Sequence, residues 1–276
     1  MEFRRYNNVE AFSTDVLGIL LKNEILNNLP ISILTESKAR YTADWLMATV
    51  TDNGVITHAA LCSKPFDLLL YEADGNRQDG IKLLAAEIRR LGIDPPNVFA
   101  ERGLAWRFAN AYASVRAPAQ IKTLVVMRLD KLDEYNKAPG YCRALDASDL
   151  YFVPYWERSF SEECRTQVFP IPEIVERLRA RLIKGSHFIW EDGNPVSQAV
   201  HGRSTPNGAV VNMVYTPPHF RGKGYATSVV AKISGILLDS GYDFCCLFAD
   251  AGNPVARKVY QNLGYYDVYT FNVIRL

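Results

Sequence analysis

The stretch that decides the fold runs Val214-Tyr-Thr-Pro-Pro-His-Phe-Arg221-Gly-Lys-Gly224-Tyr-Ala226. It continues an apolar run, Val210 to Tyr215, with the β-branched composition of a strand. Two prolines end that run, a basic glycine-rich turn follows at Arg221-Gly222-Lys223-Gly224, and a helix opens at Tyr225. A strand, a glycine-rich turn and a helix start together aim unpaired backbone N–H groups at one point, which is how a phosphate is held. Glycine lets the main chain approach the ligand without a Cβ in the way. Arg221 and Lys223 add charge beside the positive end of the helix dipole. The turn lacks the Gly-Lys-Ser/Thr ending of a P-loop and the three spaced glycines of a dinucleotide fingerprint.

A second block, Asn253-Pro254-Val-Ala256-Arg-Lys-Val-Tyr260-Gln-Asn-Leu-Gly264, reads as a short helix with both ends written in. Asn253 is a good N-cap and Pro254 fits the first turn. Ala256, Val259, Tyr260 and Leu263 make one apolar stripe, and Gly264 is a stop. The pattern Arg-x-x-Gly-x-Ala at Arg221, Gly224 and Ala226, followed by Asn-Pro-x-Ala, resembles the GNAT (GCN5-related N-acetyltransferase) superfamily. The resemblance covers residues 141–276.

The resemblance implies an acyl-CoA pyrophosphate on Arg221, Gly222, Lys223, Gly224, Tyr225 and Ala226. It implies a pantetheine arm paired with the backbone of Val214, Tyr215 and Thr216 like an added strand, one N–H there polarising the thioester carbonyl. Asn253 and Ala256 would lie along the CoA chain, and Tyr260 would protonate the leaving thiolate. A phenol of pKa about 10 is a proton donor at neutral pH. The sequence departs from the family in one respect. Many members carry a Glu on the strand before the turn, whereas Ala209 to Tyr215 has no carboxylate, and Asn212 cannot act as a base. His187 and Glu191 on the preceding hairpin are alternatives, with a water chain as the default. Tyr155, Trp156, Phe160, Phe169 and Trp190 offer aromatic surface for an acceptor.

Composition narrows the classes. The 276 residues suffice for one large domain or two average ones. A net charge of +1 argues against a broad nucleic-acid or lipid surface. No apolar run reaches the length of a membrane span, and no signal-peptide core follows the N-terminus. The scattered cysteines 62, 142, 164, 245 and 246 read as reduced thiols, hence a cytoplasmic protein. Neither they nor the histidines show metal-ligand spacing, so no metal is expected.

Asn136-Lys-Ala-Pro-Gly140 is the candidate linker, dividing the chain into domains 1–135 and 141–276. The second half reads as helices over Leu150–Gln167 and Glu173–Lys184, a hairpin about Asp192-Gly193-Asn194, and the strand at Ala209–Tyr215. A helix over Tyr225–Ser240, a buried strand at Phe244–Ala249, the Asn253 helix and a closing strand pair follow. The first half shows the same layout: a turn at Asp52-Asn53-Gly54, a strand at Leu68–Tyr71, helices at Arg77–Leu91 and Leu104–Ser114, and a strand at Thr123–Leu132. Gly54, Gly92 and Tyr112 precede Gly193, Gly241 and Tyr260 by similar distances. The expected architecture is α/β: a mixed, mainly antiparallel sheet flanked by helices, in two tandem GNAT-like halves. The first half, with Glu72 and Asp74 in its turn, is expected to bind no CoA, since a carboxylate repels pyrophosphate.

The expected function is transfer of an acetyl group from acetyl-CoA to a small-molecule amine or a peptide N-terminus, with no nucleic acid or membrane partner and a homodimer left open. The alternatives are a CoA-binding regulatory module without turnover and a longer-chain acyltransferase like the glycine N-acyltransferases.

Overall fold

The computed structural model describes residues 1–36, 45–63, 66–73, 77–113 and 117–276. Asp74, expected in the first half's turn, lies outside the described residues. The chain forms two compact units, residues 1–126 with 269–276, and residues 127–268.

The chain first passes through β1 (Glu2–Arg5), α1 (Val9–Leu20), α2 (Asn28–Glu36), β2 (Leu46–Asp52), β3 (Val55–Cys62) and β4 (Leu68–Glu72). Helix α3 (Gln78–Arg90), β5 (Asn97–Glu101), α4 (Arg102–Tyr112) and β6 (Ala119–Leu129) follow. It then repeats the order with β7 (Tyr141–Ala144), α5 (Val153–Glu163), α6 (Ile171–Lys184), β8 (His187–Glu191), β9 (Pro195–Ser204) and β10 (Gly208–Tyr215). Helix α7 (Tyr225–Asp239), β11 (Phe244–Asp250), α8 (Pro254–Gln261) and β12 (Tyr266–Arg275) complete the second pass. The repeat is present element for element. Strand order is β1-β2-β3-β4-β5-β12 in the first unit and β11-β10-β9-β8-β7 in the second, the division at residue 126 falling within β6. Strands β4–β5 and β10–β11 pair in parallel, and the remaining registered pairs are antiparallel.

Local chemistry explains the elements. Asn53 (φ 49°) and Gly54 (φ 79°) turn the β2–β3 hairpin in the left-handed region that a two-residue hairpin requires. Alternation along β2 sorts its side chains. Leu46, Ala48 and Val50 join Ile81, Leu84 and Ile88 of α3 on one face, while Met47 joins Phe12, Val16 and Ile31 on the other. In the second unit Leu145, Val153, Ile174, Leu178 and Ile189 form the core beneath α5 and α6. Val229, Val230, Ile233 and Leu237 are the buried stripe of α7.

Three details differ from the sequence reading. The closing strand pair expected over Gly264–Leu276 is the single strand β12. The helix expected from Leu150 begins as a short 3-10 turn over Ala147–Tyr151, and α5 starts anew at Val153, where Pro154 suits a first turn. Helices α1 and α2 were not anticipated. α1 does carry a signal, Asn8 capping the Ala11 N–H ahead of Val9, Phe12, Val16 and Leu20 on one face.

Candidate functional site

Strand β10 leaves regular geometry where the site begins. Its register with β9 passes from Asn212↔Val200 to Tyr215↔Gln198, so Met213 and Val214 together oppose Ala199. That extra residue is a β-bulge. Met213 takes φ 51°, the left-handed region that a residue with a Cβ enters at a cost. Two side chains hold it there: Asn212 Oδ1 accepts the Met213 N–H at 2.7 Å, and Gln198 Nε2 donates to the Met213 carbonyl at 3.3 Å. On its other side β10 registers with β11 only over Gly208–Val210. The stretch Asn212 to Thr216 runs on without that partner, the condition for accepting an added strand.

The glycine-rich turn follows. Gly222 and Gly224 take φ 78° and 82°, a conformation that Lys or Arg would adopt only under strain. Gly224 is the N-cap of α7, and no side chain caps that end. The first intrahelical bond runs from the Ser228 N–H to the Gly224 carbonyl, 3.0 Å, so the N–H groups of Tyr225, Ala226 and Thr227 precede the ladder. A phosphate fits this donor set. Arg221, expected to serve it, is engaged with neighbours: its Nε donates to the Thr216 carbonyl, and its Nη2 to both carboxylate oxygens of Glu163 at the end of α5, all at 2.8 Å. Lys223 is exposed and, among the described residues, in no ion pair.

Residues 136–140 are pinned rather than loose. The Ala138 N–H donates to Ser228 Oγ of α7 at 2.8 Å, and Trp190 Nε1 donates to the Pro139 carbonyl at 2.8 Å. Gly140 takes φ 99°, and a Cβ there would meet the Glu191 carbonyl oxygen at 2.1 Å. Trp190 thus faces this strap; its neighbour Ile189 faces α5 and α6, and adjacent strand residues point oppositely. Trp156 packs against Phe152 and Tyr215.

Asn253 caps α8 through the Ala256 N–H, 3.0 Å, which leaves its side-chain NH₂ for another partner. Tyr260 is buried, its ring set edge-on to Tyr265 at 6.0 Å. Burial pushes its phenol pKa up, and Cys164, next to Glu163, adds to the shift. The end of α5 therefore meets the turn through Glu163, and Cys164 acts on Tyr260 electrostatically. Sequence spacing gave no sign of either.

Neither side-chain alternative for the base is well placed. Glu191 accepts from Arg143 Nε at 2.5 Å and from the Tyr141 hydroxyl at 3.1 Å, and both hold its carboxyl below the usual range. His187 is fully buried, its Nδ1 3.9 Å from Glu157 Oε1, and neither ring nitrogen makes a regular hydrogen bond. Desolvation, then the Arg181 charge, lower its pKa to about 3. Glu157 of α5 pairs with Arg181 beside it, and burial raises that carboxyl.

In the first unit a carboxylate stands at the end of the matching strand. Glu72, at the end of β4, accepts the Arg77 N–H at 3.0 Å just ahead of α3. The same carboxylate takes Arg107 Nη1 and Nη2 at 2.7 and 2.5 Å and faces His58 Nε2 at 3.2 Å.

Among the described residues no group of three His, Cys, Asp or Glu side chains is placed to share a metal ion. No described helix is long and apolar enough to cross a membrane.

Comparison with known proteins agrees with this fold. Residues 192–273 match the family model of the FR47-like protein. A GCN5-related N-acetyltransferase from Sphaerobacter thermophilus superposes with a TM-score of 0.70 at 14% identity, over 99% of this chain and 95% of that one. A GNAT-family acetyltransferase from Colwellia psychrerythraea gives 0.66 at 10% identity, over 100% and 98%. A tandem GNAT protein from the clavulanic acid biosynthesis pathway gives 0.56 at 14%, over 99% and 97%. No curated protein sequence matches. The chain has the GNAT fold in tandem form.

Proposed function

We propose that this chain is an acyl-CoA-dependent N-acyltransferase that moves an acetyl group from acetyl-CoA to a primary amine by direct attack. One observation carries the reading: the stretch of β10 freed from β11 runs directly into a helix N-terminus that no side chain caps. The backbone of Val214, Tyr215 and Thr216 serves the pantetheine arm. The turn Arg221–Ala226 takes the pyrophosphate, and Asn253 and Ala256 line the chain of the co-substrate. We assign this chemistry to residues 141–276 and give residues 1–135 no CoA site.

In the proposed reaction the amine nitrogen bonds to the thioester carbon, the C–S bond breaks, and the sulfur leaves with the bonding pair. Tyr260 gives its proton to that sulfur, and the proton lost by the amine leaves through water. The upward shift at Tyr260 keeps the phenol protonated. It also makes the transfer uphill unless the thiolate is buried beside it, so the two anions share one desolvation cost. The acceptor is a small amine or a peptide N-terminus. The five free cysteines suit a reducing cytoplasm.

A second reading, CoA binding without turnover, is favoured by one observation: on β8 to β10 Glu191 is paired with Arg143, His187 is fully buried and His201 is bonded to Ser204. A panel of amines with acetyl-CoA and longer acyl-CoAs, followed by release of free thiol, tests both. Thiol release with an amine supports the enzyme. Calorimetric binding of CoA without release by any amine supports the second reading. Absence of binding defeats both.

A further inference from the structure

We infer that Gln198 is a positioning residue for the acyl group, aiming the Val214 N–H into the opening between β10 and β11. The inference rests on the CoA reading of that opening and goes beyond it by naming what sets the bulge. Gln198 is fully buried; its Oε1 meets no regular hydrogen-bond geometry, and the His187 ring lies near enough to act on its side chain. A half-satisfied buried amide costs stability that an apolar side chain would not. Its regular side-chain hydrogen bond goes from Nε2 to the carbonyl oxygen of Met213, the residue at φ 51°.

The consequence follows from peptide geometry. The Met213 carbonyl and the Val214 N–H belong to one planar trans unit, so they point in opposite directions. Drawing the carbonyl toward Gln198 on β9 turns the N–H away from β9, toward the side where β10 has lost its register with β11. Asn212 takes the Met213 N–H from its own side chain, so this peptide plane is tied before the reacting one as well. A backbone donor fixed in advance at a developing oxyanion needs no reorganisation during the reaction. Gln198 touches no substrate in this scheme; it acts through the peptide it holds.

The test uses the full chain and acetyl-CoA carrying ¹³C at the thioester carbonyl. A hydrogen bond to that carbonyl lowers its infrared stretching frequency. The bound label should absorb below the free label in the wild-type protein. Gln198→Met fills the same volume without a donor. It should bind CoA itself as tightly as wild type by calorimetry, because the phosphates are held by the turn, yet lose the infrared shift. Asn212→Ala, at an exposed position, should lose part of it. If Gln198→Met does not fold, Gln198→Leu decides by the same criterion. A band at the wild-type position in the folded variants overturns the inference alone. So does a wild-type band that never leaves the free position while CoA binds. A wild-type protein that binds no CoA overturns the CoA reading and this inference together.

Discussion

The steps from β4 to α3 and from β10 to α7 hold the same place in the repeat; neither helix has a side-chain cap, and they differ in what stands beside the helix start. In the first unit a carboxylate of the chain itself, Glu72, takes the N–H of Arg77 and neutralises Arg107. In the second unit the N-cap is a glycine, and no side chain reaches the first-turn donors of α7. A helix N-terminus favours a negative partner in either case. The first step carries a carboxylate at the end of its strand beside the helix start, and the second carries none there. The tyrosines of α4 and α8 diverge in the same sense. The Tyr112 hydroxyl donates to the Ile93 carbonyl at 2.9 Å, whereas burial without such a bond surrounds Tyr260.

The harshest way to break this comparison is to put a carboxylate into the second turn. Gly224→Glu should abolish CoA binding in calorimetry, a loss of at least about 100-fold. Like charge facing a phosphate costs several kcal/mol, and a side chain at φ 82° about 1–2 kcal/mol more. Unchanged affinity would show that the turn is not the phosphate site.

The tyrosine pair comes next. Tyr260→Phe should lower turnover about 10²–10⁴-fold with the melting temperature nearly kept. Tyr112→Phe should leave turnover alone and cost about 1 kcal/mol for its lost hydrogen bond. Equal turnover in the two variants, with chemistry limiting, would remove Tyr260 from the mechanism.

Breaking the first turn tests its structural role. The Glu72 side chain is 5% exposed, and Glu72→Ala strands Arg107 without its carboxylate, at a cost of about 3–5 kcal/mol in urea unfolding. The CoA stoichiometry should stay at one per chain. A second CoA site in this variant would show that Glu72 had been masking one.

Two buried histidines carry the comparison into pH. His58 has Glu72 and Thr57 as partners, whereas His187 Nδ1 stands 3.9 Å from Glu157 Oε1 and neither of its ring nitrogens makes a regular hydrogen bond. The folded-state pKa of His187 is lowered to about 3. The unfolded chain, with a histidine pKa of about 6.5, therefore binds the extra proton first, and stability falls as pH drops below that value, by up to about 1.4 kcal/mol per pH unit. The raised Glu157 works in the opposite direction over part of the window. His187→Gln should flatten the slope of urea stability between pH 6.5 and 5; an unchanged slope would assign it to other groups.

The smallest effect belongs to the ion pair at the turn. Arg221 and Glu163 are about half exposed, 46% and 48%, and such pairs contribute about 1 kcal/mol or less. Glu163→Gln should leave stability within that margin and tighten CoA binding a few-fold, about 1 kcal/mol at most, by releasing Arg221 for the phosphate. Weaker binding would mean that Glu163 holds Arg221 in its working position.

Much of the fold was legible because its signals are local. Asn253 caps α8, Gly54 and Gly193 turn hairpins at positive φ, and Gly224 opens α7, each within a few residues of the group it satisfies. Helix α1 was equally legible and was passed over. The bulge was not legible, because methionine carries no mark of a left-handed residue and Gln198 reaches it only once β9 and β10 have paired.

The sequence by itself determined the order of elements, the uncapped glycine turn and the absence of a carboxylate from β10, since these depend on backbone preferences over one turn or one strand. Tertiary structure alone decided that Glu163 would meet Arg221, that Arg107 would close on Glu72, and that β5 would take the C-terminal strand β12 as its antiparallel partner. Those contacts join residues far apart in the chain. Their loop-closure entropy is offset only when whole sheets and helix faces bury together, so no short stretch of sequence encodes them.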